Sequence, residues 1–198
     1  ITFTGANGTA PYTFTYNINS GANLTVTTTS GNSVTVNAPT GTAGTYTYNL
    51  VSVQDGSSTA CQQAQIGSAI VTVYELPTAD FTYTSPLCEI KQVDFLDQST
   101  PNSGILNAWS WTFGDPPSGA ANSSTLQNPS HTFNSAINYT VTLTVKNDKG
   151  CVSAPQSQVL AINPRPNAGF INPEVCLSDT YAQFIDTSSI ASGSITQW

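Results

Sequence analysis

Trp109–Asp115 reads W-S-W-T-F-G-D. Rings occupy every second position, Trp109, Trp111 and Phe113, and hydroxyl residues fill the gaps. A period of two belongs to a β-strand, so the three rings share one face. Such a stripe is either an open platform for stacking on a ligand or the middle of a core. A second stretch decides between them. Tyr139–Val145, Y-T-V-T-L-T-V, alternates in the same way, with Tyr139, Val141, Leu143 and Val145 on one face and threonines on the other. Two matching apolar faces predict packed strands, and aromatic side chains at about 150–250 Å² each dominate a small core. Trp109, Trp111, Phe113 and Tyr139 are therefore expected to be structural.

Outward from this stripe the same chemistry recurs. Alternating runs predict strands at 79–83, 91–97, 108–113, 130–133, 138–146 and 156–162, separated by turn signals P-N-S-G, G-D-P-P-S-G and N-D-K-G. Short strands at this density predict an all-β sandwich. Composition agrees: the 198 residues are 38% hydrophobic, 8% charged and free of Met. Four Lys and Arg against eleven Asp and Glu give a net charge of −7. Nucleic-acid binding needs clustered basic residues to replace phosphate counterions, and Lys91, Lys146, Lys149 and Arg165 are scattered. The same scarcity speaks against an anionic membrane surface, and no apolar run is long enough to insert in a membrane. The opening I-T-F-T-G reads as the middle of a strand, so the chain is expected to be a piece of something longer. Four cysteines in an acidic β-rich chain point to an oxidising, extracellular setting.

The chain also repeats itself. P-T-A-D-F at 77–81 returns as P-N-A-G-F at 166–170, and V-D-F-L-D-Q-S-T at 93–100 as A-Q-F-I-D-T-S-S at 182–189, both at an offset of 89 residues. Trp109 falls on Trp198 at the same offset, and Cys88 falls on Cys176 at 88. More distantly, Y-T-Y-N-L-V-S-V at 46–53 with Cys61 parallels Tyr139–Val145 with Cys151, and Y-T-F-T-Y-N at 12–17 parallels the aromatic stripe. Three tandem modules are expected: 1–75 lacking its first strand, 76–164 complete, and 165–198 the N-terminal part of another repeat. Prolines in the linkers Y-E-L-P-T-A-D-F and I-N-P-R-P-N-A-G-F stiffen them, which predicts a rod.

W-S-W-T-F-G-D, then N-P-S-H-T-F at 128–133, then Y-T-V-T-L-T-V resembles, in order and spacing, the PKD domain, an immunoglobulin-like sandwich. G-D-P-P-S-G departs from the family's plainer Gly-Asp-Gly turn and lengthens one loop. The N-terminal part resembles Ig-like repeats of large secreted surface proteins of Bacteroidota, of which SprB-type gliding-motility adhesins exported by type IX secretion are the nearest example. The PKD resemblance implies that Cys88 and Cys151 lie towards one end of the sandwich and bond to each other. The rivals are a Cys61–Cys176 bond or a metal site of all four cysteines, against which stands the lack of C-x-x-C spacing. The resemblance also makes His131, the chain's one histidine, a structural residue bonded to nearby backbone.

Acyl transfer would have to run through that histidine, since it needs a nucleophile, a base and an orienting acid in contact. Asp94, Asp97, Asp115 and Asp148 are the acids available for glycoside hydrolysis, and none sits in an evident pocket-forming segment. Asp97 shares the parity of Val93 and Phe95, which turns it towards the core to hold the loop Q-S-T-P-N-S-G. No metal or cofactor is expected; calcium would be the likeliest metal, held by F-G-D-P-P-S-G or by Glu75, Asp80 and Glu174 at module junctions.

These readings predict a non-enzymatic structural and adhesive repeat segment of a large adhesin at the bacterial cell surface. It would form an extended stalk for surface attachment or gliding motility. Its partners would be neighbouring repeats of the same chain, with surface glycans or other surface proteins beyond them. The alternative is a spacer or weak polysaccharide-binding accessory module of a secreted hydrolase.

Overall fold

Thr-, Val- and aromatic-rich runs make short strands because branched and ring side chains fit a pleated, half-buried surface. The computed structural model describes residues 1–178 and 180–197 and divides into two units, Ile1–Glu75 and Leu76–Trp198. Trp198, the expected counterpart of Trp109, lies outside the described residues.

The first unit holds β1 (Thr2–Thr4), β2 (Thr13–Ile18), β3 (Leu24–Thr27), β4 (Ser33–Thr35), β5 (Gly44–Gln54), β6 (Gln62–Ala64) and β7 (Ser68–Val73). The long β5 is its spine, with β2 on one edge and β6 and β7 sharing the other, while β3 extends the sheet beyond β2. β1 and β4 form a second, two-stranded sheet. Phe3 of β1 packs on Phe14 at 5.5 Å and Tyr16 at 5.2 Å, so the sheets close on an aromatic core that also takes Tyr12 and Tyr48. Asp55 braces the loop after β5: its carboxylate accepts the Ser57 hydroxyl at 2.7 Å and the Cys61 N–H at 3.1 Å. The Ser57 hydroxyl above all holds that carboxyl below its usual pKa.

The Tyr48 hydroxyl is buried with no hydrogen-bond partner among the described residues. Burial, then the neighbouring Tyr16 and Tyr46, push its pKa up. Tyr48→Phe keeps the ring and removes the unmet polar group. It is expected to leave this unit unchanged or more stable by about 1 kcal/mol in urea titration. A clear loss of stability would mean that the hydroxyl is satisfied after all.

The second unit contains β8 (Phe81–Tyr83), β9 (Gln92–Asp97), β10 (Leu106–Thr112), β11 (Ser123–Ser124), β12 (Ser130–Thr132), β13 (Asn138–Asn147), β14 (Gln156–Ala161), β15 (Phe170–Ile171) and β16 (Ile185–Asp186). Strands β8 to β14 build the expected sandwich from two antiparallel sheets, ordered β12–β9–β8 and β11–β10–β13–β14. The six strands read from alternation lie within two residues of their observed ends. Only β11, two serines long, has no alternation to announce it. Phe81, Val93, Phe95, Trp111, Phe113, Phe133, Tyr139, Val141, Leu143, Val145 and Leu160 fill the space between the sheets.

The sandwich has two poles set by β13, whose ten residues span about 30 Å. At the β13 C-terminus, Asn147 takes the Cys151 N–H on its side chain and donates to the Ser103 carbonyl. Asn102 there donates to the Leu76 carbonyl, at 2.8 Å. At the β13 N-terminus, Ile162 N–H bonds Ile137, Asn163 N–H bonds Leu87, and Glu89 N–H bonds Asn163. The chain thus enters at one pole and leaves at the other. This geometry corrects the expected Cys88–Cys151 disulfide: the two cysteines occupy opposite poles and both are free thiols. A disulfide requires Cα atoms within about 7 Å, which no side-chain rotation can supply here.

Beyond the sandwich, β15 and β16 reproduce two of the three β8–β9 rungs at the 89-residue offset. Phe81↔Asp97 becomes Phe170↔Asp186, and the Thr78↔Thr100 bridge becomes Asn167↔Ser189. Gln98 N–H to Asp80 returns as Thr187 N–H to Gly169, each at 2.9 Å. The Ser99 hydroxyl that accepts the Asp80 N–H returns as Ser188 accepting from Gly169, each at 3.1 Å. Phe170 and Phe184 meet edge-on at 5.8 Å, as Phe81 and Phe95 do at 6.1 Å.

Candidate functional site

The aromatic stripe is the centre of the core. Trp111 is 1% exposed, its ring lies 5.1 Å from Phe81 and 5.6 Å from Phe95, and its Nε1–H donates to the Leu126 carbonyl at 2.9 Å. A line of ring contacts continues from Phe95 through Phe113, His131 and Phe133 to Tyr139. Trp109 sits at the edge, partly buried, with its Nε1–H donating to Asp97 Oδ2 at 2.8 Å. Trp111 thus offers no open face for stacking on a sugar, and Trp109 is pinned at its Nε1 by Asp97.

Asp97 has the position expected from its parity. Its Oδ1 accepts the Ser99 N–H at 3.0 Å, and its Oδ2 accepts Gln127 Nε2 as well as Trp109. It therefore anchors the start of the loop after β9 to β10, and a buried or half-buried carboxylate is kept by such partners.

His131 lies on β12, packed face to face on Phe113 at 4.5 Å with 8° between the ring planes. Its Nε2 bonds Asp115 Oδ2 at 3.0 Å, and both side chains are buried. The expected backbone partner is thus corrected to a carboxylate. The turn at Gly114 carries Asp115 back under β12, and Asn122 fixes it by accepting its N–H at 2.6 Å. The sequence holds one signal of this pair: the only histidine and the aspartate that closes W-S-W-T-F-G-D. Among the described residues, no Ser, Thr or Cys side chain hydrogen-bonds the imidazole. The imidazole Nε2 is taken up by the Asp115 carboxylate, and the residue is 6% exposed.

Removing either partner strands the other in the core. Asp115→Ala and His131→Ala are each expected to cost about 1–3 kcal/mol in denaturant titration, and the double variant less than their sum. Additive losses would mean that the two side chains do not act together.

The other acids are dispersed. Asp94 accepts Gln92 Nε2 at 2.7 Å, and Asp148 accepts Lys149 Nζ at 2.9 Å and the Ile105 N–H at 3.0 Å. Lys149 holds the Asp148 carboxyl below its usual pKa. Asp80 turns its carboxylate onto the Phe81 N–H. Among the described residues no three His, Cys, Asp or Glu side chains are grouped to hold a metal, and no helix is long and apolar enough to cross a membrane.

Residues 74–162 match the family model of the PKD domain. The chain thus carries a PKD domain over the second unit's sandwich. PKD domains are non-catalytic modules of surface and secreted proteins, with structural or adhesive roles. Among solved structures the chain is similar to the PKD1 domain of Vibrio anguillarum Epp, at 25% identity and a TM-score of 0.39, covering 46% of this chain and 99% of that one. It is also similar to the PKD1 domain of the Vibrio cholerae metalloprotease PrtV, at 26% identity and a TM-score of 0.38, covering 44% and 98%. The fibronectin(III)-like modules of Clostridium thermocellum CbhA align over 81% of this chain and 83% of theirs, at 13% identity and a TM-score of 0.38. No curated protein matches the chain.

Proposed function

We propose that this chain is a non-enzymatic segment of a long adhesin at the bacterial cell surface, built as an extended row of sandwiches. The row takes 1–75, 76–164 and 165–198 as successive modules and carries surface attachment or gliding motility, with export by a type IX system. Its immediate partners are neighbouring repeats, and glycans or other surface proteins lie at the row's working end. The observation that carries this reading is the polarity of the 76–164 sandwich, where Leu76 and Asn163 sit at opposite ends of β13. A module threaded from pole to pole lengthens a chain with each copy, whereas adjacent termini would fold it back. The burial of Trp111 and His131 supports the non-catalytic part.

Small-angle scattering of the intact chain tests the extended arrangement. A compact chain of this length has a radius of gyration of about 16 Å, and a row of modules must exceed it clearly. A value at the compact figure would overturn the stalk.

A further inference from the structure

Asp115–Pro116 is the chain's one Asp–Pro bond. Such a bond is weaker than other peptide bonds for two reasons. The side-chain carboxyl can close a ring on its own main-chain carbonyl carbon, an intramolecular attack with a high effective concentration. The leaving nitrogen is that of proline, a secondary amine more basic than a primary one. Here the surroundings of the bond add to both. The Asp115 carbonyl oxygen takes two donors, the Ser118 N–H at 3.0 Å and the Ser118 hydroxyl at 2.7 Å. Two donors polarise a carbonyl and stabilise the negative charge that attack builds on it. The Asp115 carboxylate precedes the 3-10 turn Pro116–Asn122 yet makes no cap bond to it. Its Oδ2 bonds His131 Nε2 at 3.0 Å instead, and its Oδ1 takes no hydrogen bond among the described residues. Asn122 meanwhile fixes the Asp115 N–H at 2.6 Å. Ser118 and His131 both line a surface groove of about 500 Å³, which brings water beside the bond, and Pro116 is exposed.

We propose that the folded sandwich cuts its own Asp115–Pro116 bond. Asp115 Oδ1 attacks the Asp115 carbonyl carbon, the bond from that carbon to the Pro116 nitrogen breaks, and residue 115 is left as a cyclic anhydride. The proton held between Asp115 Oδ2 and His131 Nε2 passes to the Pro116 nitrogen, which leaves as a free amine. Water then opens the anhydride into the α- and β-carboxyl groups of Asp115 and returns a proton to the pair. The balance is one water added across one amide, and the products are 1–115 and 116–198. The reaction happens once per chain, so the module does not turn over a substrate. The cut falls between β10 and β11, while β10 stays paired with β13 and β9 with β12, so the two pieces remain one nicked sandwich.

Mass spectrometry of the intact chain, incubated in mildly acidic buffer and then denatured, tests this. The masses of 1–115 and 116–198 should grow with time, while the undenatured sample still elutes as one particle. Hydroxylamine present during the incubation should convert the 1–115 piece to the hydroxamate that an anhydride gives. Guanidinium at the same pH should slow the cut, because unfolding parts Asp115 from His131. Pro116→Ala, at an exposed position, should abolish it. Ser118→Ala and His131→Gln should each slow it by about 100-fold. Ser118 lies outside the core, so its variant decides the matter even if His131→Gln does not fold. A folded wild type that stays whole overturns the proposal. So does a cut as fast in guanidinium as in the fold, which is the ordinary lability of an Asp–Pro bond, or a cut that Ser118→Ala leaves at the wild-type rate.

Discussion

Trp111→Ala is expected to lower the stability of the second unit by about 3–5 kcal/mol, the range for removing a large buried aromatic. The ring is 1% exposed and touches Phe81 from one edge strand and Phe95 from the strand beside it. Its loss opens a cavity that spans both sheets and leaves the Leu126 carbonyl without its indole donor. Domains are typically stable by only about 5–15 kcal/mol, so most of the margin goes. Guanidinium titration followed by circular dichroism measures it. Trp109→Phe is the internal contrast, because it keeps the edge packing and gives up mainly the bond to Asp97, an effect nearer 1 kcal/mol. A shift in Trp111→Ala no larger than in Trp109→Phe would remove the stripe from the centre of the core.

Gly114→Ala should be nearly as damaging, at about 2–5 kcal/mol, by adding a single methyl group. Gly114 has φ +70°, where a Cβ is strained, and that Cβ would be driven into the backbone O and N of Thr140 on β13. Neither the turn nor the strand can give way without moving Asp115 off His131. Gly119 supplies the control: it has φ +61° but open space around its Cβ position. Gly119→Ala therefore carries the strain of a positive φ without a steric clash. If thermal melts place the two variants together, the contact with Thr140 is not what requires glycine at 114.

Much of this architecture is legible in the residues. Period two along Trp109–Phe113 and Tyr139–Val145 fixes which side chains face the core, because a strand has only two faces and water penalises an exposed row of rings. The parity of Val93, Phe95 and Asp97 likewise brings Asp97 to the rim of the core, and the structure supplies its partners in Trp109, Ser99 and Gln127. The 89-residue offset needs only the sequence compared with itself.

Partners across space are another matter. Periodicity gives the direction of a side chain but not the strand that comes to meet it. Asp115 and His131 are 16 residues apart, and their bond follows from the turn at Gly114 and the place of β12 in the opposite sheet. Cys88 and Cys151 illustrate the reverse case: one comes just before a turn and the other just after one, yet the length of β13 separates them. The sequence by itself determined the β-sandwich, its repeat and its core-facing residues, because these depend on local alternation. Tertiary structure alone decided that the cysteines stay apart and that the histidine is bonded to a carboxylate. Those outcomes depend on sheet order and on which pole each loop reaches, and neither is encoded in the spacing of residues along one strand.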